Sequence, residues 1–270
     1  MKEKQKNNEN LISVIMPAYK QEETIEKDLL YLKSVMDQLR YEYEIIVVVD
    51  GTSDKTFENA KKIKSKKIMV TGYKHNHGKG FAIRYGMTHA KGYIVGFIDA
   101  GMDLNPNGIS MLLEHFEWYK ADIVVGSKWH PVSKVIYPFR RKVLSLGYGF
   151  IVRLLFGLKV RDTQLGLKLF RKEVLEKVLP RLLVKKYAID IELLAVADRL
   201  GFKRIYEAPI ELDWKDVNSS ISKNLIHSAW NMFIDTLGVF YRLKIIKYYD
   251  DSSRRKWKYD SELNFRINLP

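Results

Sequence analysis

The sequence contains no cysteine. That excludes a disulfide framework and thiolate metal sites, leaves stability to ordinary packing, and fits a reducing compartment. The sequence also lacks any run of the roughly 18 uncharged apolar residues that a membrane-spanning helix needs. Arg153, Asp235 and Arg242 interrupt its longest apolar stretches. There is no Pro/Gly/Ser linker, internal repeat or low-complexity run, so the chain reads as one folding unit with an appendage rather than as independent domains. Residues 1–10 are polar and lysine-rich, with no apolar segment before Leu11. They read as a disordered N-terminus, neither signal peptide nor anchor, and secretion is not expected.

What the chain does have is length, apolar content and positive charge. With 270 residues, 46% of them hydrophobic, it can bury a sizeable core. Its formal charge of +14 calls for an anionic partner: nucleic acid, anionic lipid or a phosphorylated substrate. No recognised nucleic-acid-binding motif is present, so nucleic acid is set aside.

Apolar periodicity orders the first half. Short β-branched runs at residues 11–16, 43–49, 67–70, 93–98 and 122–125 alternate with helical patterns at 22–39, 56–64, 79–90 and 107–119. The expected product is an α/β fold with a mostly parallel sheet covered by helices on both faces. In such a sheet, ligands bind where the strands end. The second half is read as helical at 190–200 and 221–243 and strand-like at 204–210, with an apolar stretch at 143–158.

The strand at 93–98 stops abruptly at Asp99, with Asp103 four residues on and Pro106 opening the next helix. Two carboxylates in one turn can share a hard cation that takes its remaining ligands from water and phosphate. They can equally serve as a helix cap and a solvated side chain. Asp50 ends its own strand, so its carboxylate faces the same crevice, where it suits a nucleobase N–H or a ribose hydroxyl; capping the following helix is the plainer role. Gly78-Lys79-Gly80 allows close approach of backbone to phosphate at a helix N-terminus, although taken alone it is more often structural.

Together these motifs resemble glycosyltransferase family 2, enzymes of the GT-A nucleotide-diphospho-sugar-binding fold. The matching residues are Pro17-Ala-Tyr19, Val47-Val-Val-Asp50-Gly-Thr-Ser-Asp54, Asn76-His-Gly-Lys-Gly80 and Asp99-Ala100, in the family's order and at its spacing. Gly126-Ser-Lys128, Arg140-Arg141, Arg161-Asp-Thr-Gln-Leu-Gly-Leu-Lys168 and Tyr187-Ala-Ile-Asp190 extend the resemblance to the branch containing dolichyl-phosphate glucosyl- and mannosyltransferases. The resemblance spans roughly residues 12–214.

It implies inverting transfer of a sugar from a UDP- or GDP-linked donor to a polyprenyl or dolichyl phosphate, assisted by magnesium or manganese. Pro17, Tyr19 and Asp50 would hold the nucleoside, Lys79 its phosphates, and Asp99 the nucleotide sugar or its metal. The family usually has Asp-X-Asp here, but Gly101 stands at the second acidic position, so Asp103 becomes the second metal candidate. Lys128, Arg141 and Lys168 match the branch's basic positions and would cradle the acceptor phosphate, with Asp162 orienting Lys168 or the acceptor. Asp190 is the candidate base for a hydroxyl acceptor. A saccharide or other hydroxyl acceptor, and a non-catalytic nucleotide-sugar-binding protein, are the alternatives.

The stretches at 143–158 and 230–243 suit buried core helices or helices lying in a bilayer interface. The expected organisation is a catalytic domain over 11–215, a helical extension over 216–246 and a basic, aromatic, weakly ordered tail over 247–270. The basic tail favours peripheral contact with an anionic membrane, on its cytoplasmic side.

Overall fold

The computed structural model describes residues 10–136, 139–213, 225–252, 256–261, 263 and 265–269. The expected alternation holds in the first half. Strands β1 (Leu11–Ala18), β2 (Glu42–Asp50), β3 (Ile68–Tyr73), β4 (Ile94–Ile98) and β5 (Ile123–Ser127) alternate with helices α1 (Ile25–Met36), α2 (Thr56–Lys61), α3 (Lys79–His89) and α4 (Gly108–Trp118). β6 (Lys134–Ile136) and α5 (Phe139–Phe156) follow, then β7 (Leu167–Arg171), α6 (Lys172–Val178), α7 (Ile189–Arg199), β8 (Ile205–Pro209), β9 (Glu211–Asp213) and α8 (Leu225–Phe240).

The central seven-stranded sheet has the order β3-β2-β1-β4-β7-β5-β8. All its pairings are parallel except those of β7, which runs antiparallel between β4 and β5. Because side chains alternate along each strand, the β-branched runs supply two cores. Ile46, Val48, Val95 and Phe97 face the α3, α5 and α7 side, whereas Ile45, Val47, Ile94 and Ile98 face α1 and α4. Each fully buried residue of this size contributes about 1.5–3 kcal/mol of transfer free energy. β6 and β9 form a separate parallel pair beside the sheet.

The helices α5 and α8 each put one face into the core and leave another exposed. Val152 and Phe156 of α5 and Val239 of α8 join the core, and Phe156 meets Phe240 edge to face at 6.2 Å. Their outer faces remain apolar and exposed: Phe150 is 62% exposed, Leu154 75% and Trp230 61%. Beyond α8 the described residues of the tail include buried and paired side chains. Tyr249 is fully buried, Asp250 pairs with Arg199, and β10 (Lys256–Asp260) forms an antiparallel hairpin with β11 (Phe265–Leu269). The expected disordered residues 1–9 and the boundary near 215 lie outside the described residues.

Candidate active site

Parallel strands β1, β2 and β4 end on one edge of the sheet, and the residues that close them share a cleft. Pro17, Tyr19, Asp50, Lys79 and Asp99 all line this cavity of about 390 Å³. The topology thus brings together every residue assigned to the donor from sequence.

Asp99 is held from beneath. Its N–H donates to Gly166 O at 3.0 Å, in the loop entering β7. A Cβ on Gly166 would lie 1.9 Å from Asp99 Oδ2, so only glycine leaves room for the carboxylate. Lys79 Nζ donates to Asp99 Oδ2 at 2.8 Å, and Oδ1 of the same carboxylate lies 2.8 Å away without hydrogen-bond geometry. Lys79 also lies 3.8 Å from Asp190. Burial alone would push its ammonium down, but Asp99 and Asp190 outweigh burial and hold it above the usual lysine range.

Asp190, at the start of α7, is held in turn by Lys168, which also donates to Leu165 O at 2.6 Å. Lys168 sits mid-strand in β7 at 0% exposure, and burial pushes its ammonium down despite Asp190. The Asp190 carboxylate thus faces two lysines, and Asp190 is not among the residues lining the cleft.

Asp50 is also engaged. Its carboxylate accepts from Asn76 Nδ2 at 2.8 Å, His77 N at 2.8 Å and Gly78 N at 3.0 Å. It therefore organises the loop leading into α3 while bordering the cleft. The glycines of that loop make room for protein rather than phosphate: a Cβ on Gly80 would lie 2.8 Å from Lys186 O, and Phe81 N donates to Lys185 O at 3.1 Å.

The residues assigned to the acceptor are placed differently. Lys128 and Asp162 form an almost fully buried pair at 2.7 Å, and Asp162 also accepts from the N–H groups of Lys128, Gln164 and Leu165. Asp162 pairs with Lys128 and shapes this loop, whereas Lys168 pairs with Asp190. Lys128, Asp162 and Lys168 are not among the residues lining the cleft. The side chain of Arg141 lies outside the described residues. Asp103 is also absent from the cleft lining: the chain turns through Gly101 (φ +95°) and Met102 (φ +51°), and Asp103 O accepts from Asp213 N on β9 at 2.9 Å. Among the described residues there is no group of three His, Cys, Asp or Glu side chains able to hold a metal.

A family model described as glycosyl transferase family 2 matches residues 13–179. The chain belongs to this family. A dolichyl-phosphate beta-glucosyltransferase of Trichomonas vaginalis is 33% identical over 254 residues, 87% of this chain and 75% of that protein. The Drosophila melanogaster protein of the same description is 32% identical over 225 residues, 77% of this chain and 68% of the relative. Among solved structures, glucosyl-3-phosphoglycerate synthase from Mycobacterium tuberculosis, in complex with Mn2+, UDP-glucose and phosphoglyceric acid, superposes with a TM-score of 0.64 at 20% identity. That likeness covers 97% of this chain and 87% of the other, and it places the fold as GT-A.

Sequence reasoning missed part of this family's cleft. α8 contributes Asn231, Met232 and Asp235, and the loop before α7 contributes Lys186 and Tyr187. Burial pushes the Tyr187 phenol up. The polar residues Asn231 and Asp235, four apart within a largely apolar helix, were the available clue to a wet face on α8.

Proposed function

We propose that this family 2 enzyme transfers a sugar, with inversion, from a nucleoside diphosphate sugar to the phosphate of a polyprenyl or dolichyl lipid. The observation that carries the acceptor reading is the helix α8. Asn231, Met232 and Asp235 line the cleft, while Trp230, Ile234 and Leu237 expose apolar surface from the same helix. A lipid-tailed acceptor matches that combination of polar cleft and apolar rim, and the names of the curated relatives support it.

Pro17, Tyr19 and the Asp50-organised loop enclose the nucleoside, and Asp99 faces the diphosphate sugar. A lipid phosphate oxygen attacks the anomeric carbon while the bond to the diphosphate breaks and its electron pair leaves with the diphosphate. The attacking oxygen is already anionic, so no general base is required. Asp99, whose Oδ1 is buried without a hydrogen-bond partner, is the residue that would hold a divalent ion. Such an ion supplies charge stabilisation for the leaving diphosphate. Lys79 and Lys168 keep Asp99 and Asp190 fixed, so the polar groups are organised before the donor arrives.

The exposed faces of α5 and α8, with the basic residues around them, fit peripheral contact with an anionic membrane on its cytoplasmic side. No helix among the described residues is long and apolar enough to cross a membrane.

A second reading has its own support. Asp235 is a cleft carboxylate with no ion-pair partner among the described residues, the group a hydroxyl acceptor would need as a base.

Thermal unfolding with UDP- and GDP-sugars, each with and without Mn2+, tests the donor site. Stabilisation by one nucleotide series, enhanced by metal, is expected. Absence of any shift across the panel contradicts the reading.

A further inference from the structure

Several carboxylates surround the place assigned to the donor's diphosphate: Asp50, Asp99 and Asp235 line the cleft, and Asp190 lies just behind it. Two lysines line the same cleft. Lys79 is committed, since its ammonium bridges Asp99 and Asp190. A diphosphate drawing on Lys79 would compete with both carboxylates.

Lys186 is placed otherwise. Its backbone is pinned across the N-terminus of α3: a Cβ on Gly80 would strike Lys186 O at 2.8 Å, and one on Gly78 would meet Lys186 Cγ at 3.2 Å. The neighbouring carbonyl, Lys185 O, accepts from Phe81 N, and Lys186 O accepts from Ile189 N. The main chain is thus fixed while the side chain runs over Gly78 into the cleft. Among the described residues no carboxylate lies within ion-pair distance of the Lys186 ammonium.

We propose that Lys186 is the protein's cation for the diphosphate of the bound nucleotide, a donor-binding residue separate from the Lys79-Asp99 pair. The inference rests on the donor reading above. A flexible ammonium with three donors suits this task, because it can follow the phosphate charge as the bond to the sugar breaks. Lys79 then orients Asp99, and Lys186 meets the diphosphate.

Calorimetric binding of UDP and GDP, with uridine and guanosine as phosphate-free probes, separates these roles. Metal-free buffer isolates the protein's own cations. For whichever diphosphate binds the wild type, Lys186→Ala is expected to weaken it by on the order of 10- to 100-fold, the worth of a hydrogen bond to a charged group. The matching nucleoside should bind unchanged. Lys186→Arg should recover most of the loss, and Lys185→Ala, altering the exposed neighbour, should not reproduce it. Melting temperatures of all three variants, expected near wild type, report whether folding is intact. Wild-type binding that Lys186→Ala leaves unaltered overturns the inference while leaving the donor reading intact. Failure of the wild type to bind either diphosphate, with metal restored, overturns the donor reading itself.

Discussion

On the donor side of the cleft three functional residues stand at or just past the end of a parallel strand: Pro17 in β1, Asp50 in β2 and Asp99 after β4. Beyond it, Lys128, just past β5, is buried against Asp162 of the loop before β7, and Lys168 of β7 is buried against Asp190 of α7. The first arrangement leaves side chains bordering the cleft, ready for a ligand. The second fixes charges in place and leaves its lysines with carboxylate partners. The difference teaches that a lysine's match to a family motif does not make its charge available. Availability depends on whether a carboxylate has already claimed it.

The largest expected effect comes from breaking the buried side of this contrast. Lys168→Met leaves Asp190 buried without its nearest partner and should cost about 3–5 kcal/mol of stability by chemical denaturation. Lys79→Met should cost less, because Asp99 keeps 40% side-chain exposure and Asp190 keeps Lys168. Equal losses would dissolve the distinction between the two sides.

Gly166→Ala links the sides through space alone. The added methyl displaces the Asp99 carboxylate, and transfer should fall about 10²- to 10³-fold, as for loss of one preorganised electrostatic group. Asp99→Ala should fall similarly, and the double variant should fall little further, since both changes remove the same group. Steady-state kinetics on the three variants measure this.

On the apolar rim, Phe150→Ser with Leu154→Ser should weaken sedimentation with anionic vesicles severalfold. Stability should change by no more than about 0.5 kcal/mol per site, as is usual for surface positions. The smallest expected effect belongs to Asp235→Asn. With a phosphate acceptor, kcat should stay within a few-fold of wild type. A loss of about 10²- to 10⁴-fold would identify Asp235 as a general base and favour a hydroxyl acceptor.

The donor side was legible because strand ends and polar turns are local. The β-branched run of residues 43–49 announces its strand, and Asp50 follows from where that run stops. Asp99 was equally visible. Its seat was not, because Gly166 lies 67 positions downstream and reaches Asp99 only once β7 inserts between β4 and β5. The pairing of Lys128 with Asp162 depends on another long-range contact, between residues 34 positions apart. A central antiparallel strand carrying a buried lysine breaks the alternating pattern, so β7 is not among the strands read from the sequence and its residues enter only as part of a family motif. Lys186 was obscured by its surroundings: in a lysine-rich sequence, nothing local separates a lysine at a cleft from a solvated one. Its position emerged from Gly78 and Gly80, for which the sequence admits both a phosphate-approach and a structural role, and which make room for the Lys185–Lys186 backbone.

The most direct test of the account is transfer itself. Purified protein, given radiolabelled UDP- and GDP-sugars with Mn2+ in detergent, is offered a polyprenyl phosphate or the matching polyprenol. The account predicts a lipid-extractable glycosyl phosphate from one donor series with the phosphate acceptor and none with the alcohol. Equal or preferential transfer to the alcohol, or no transfer from any donor, would contradict it.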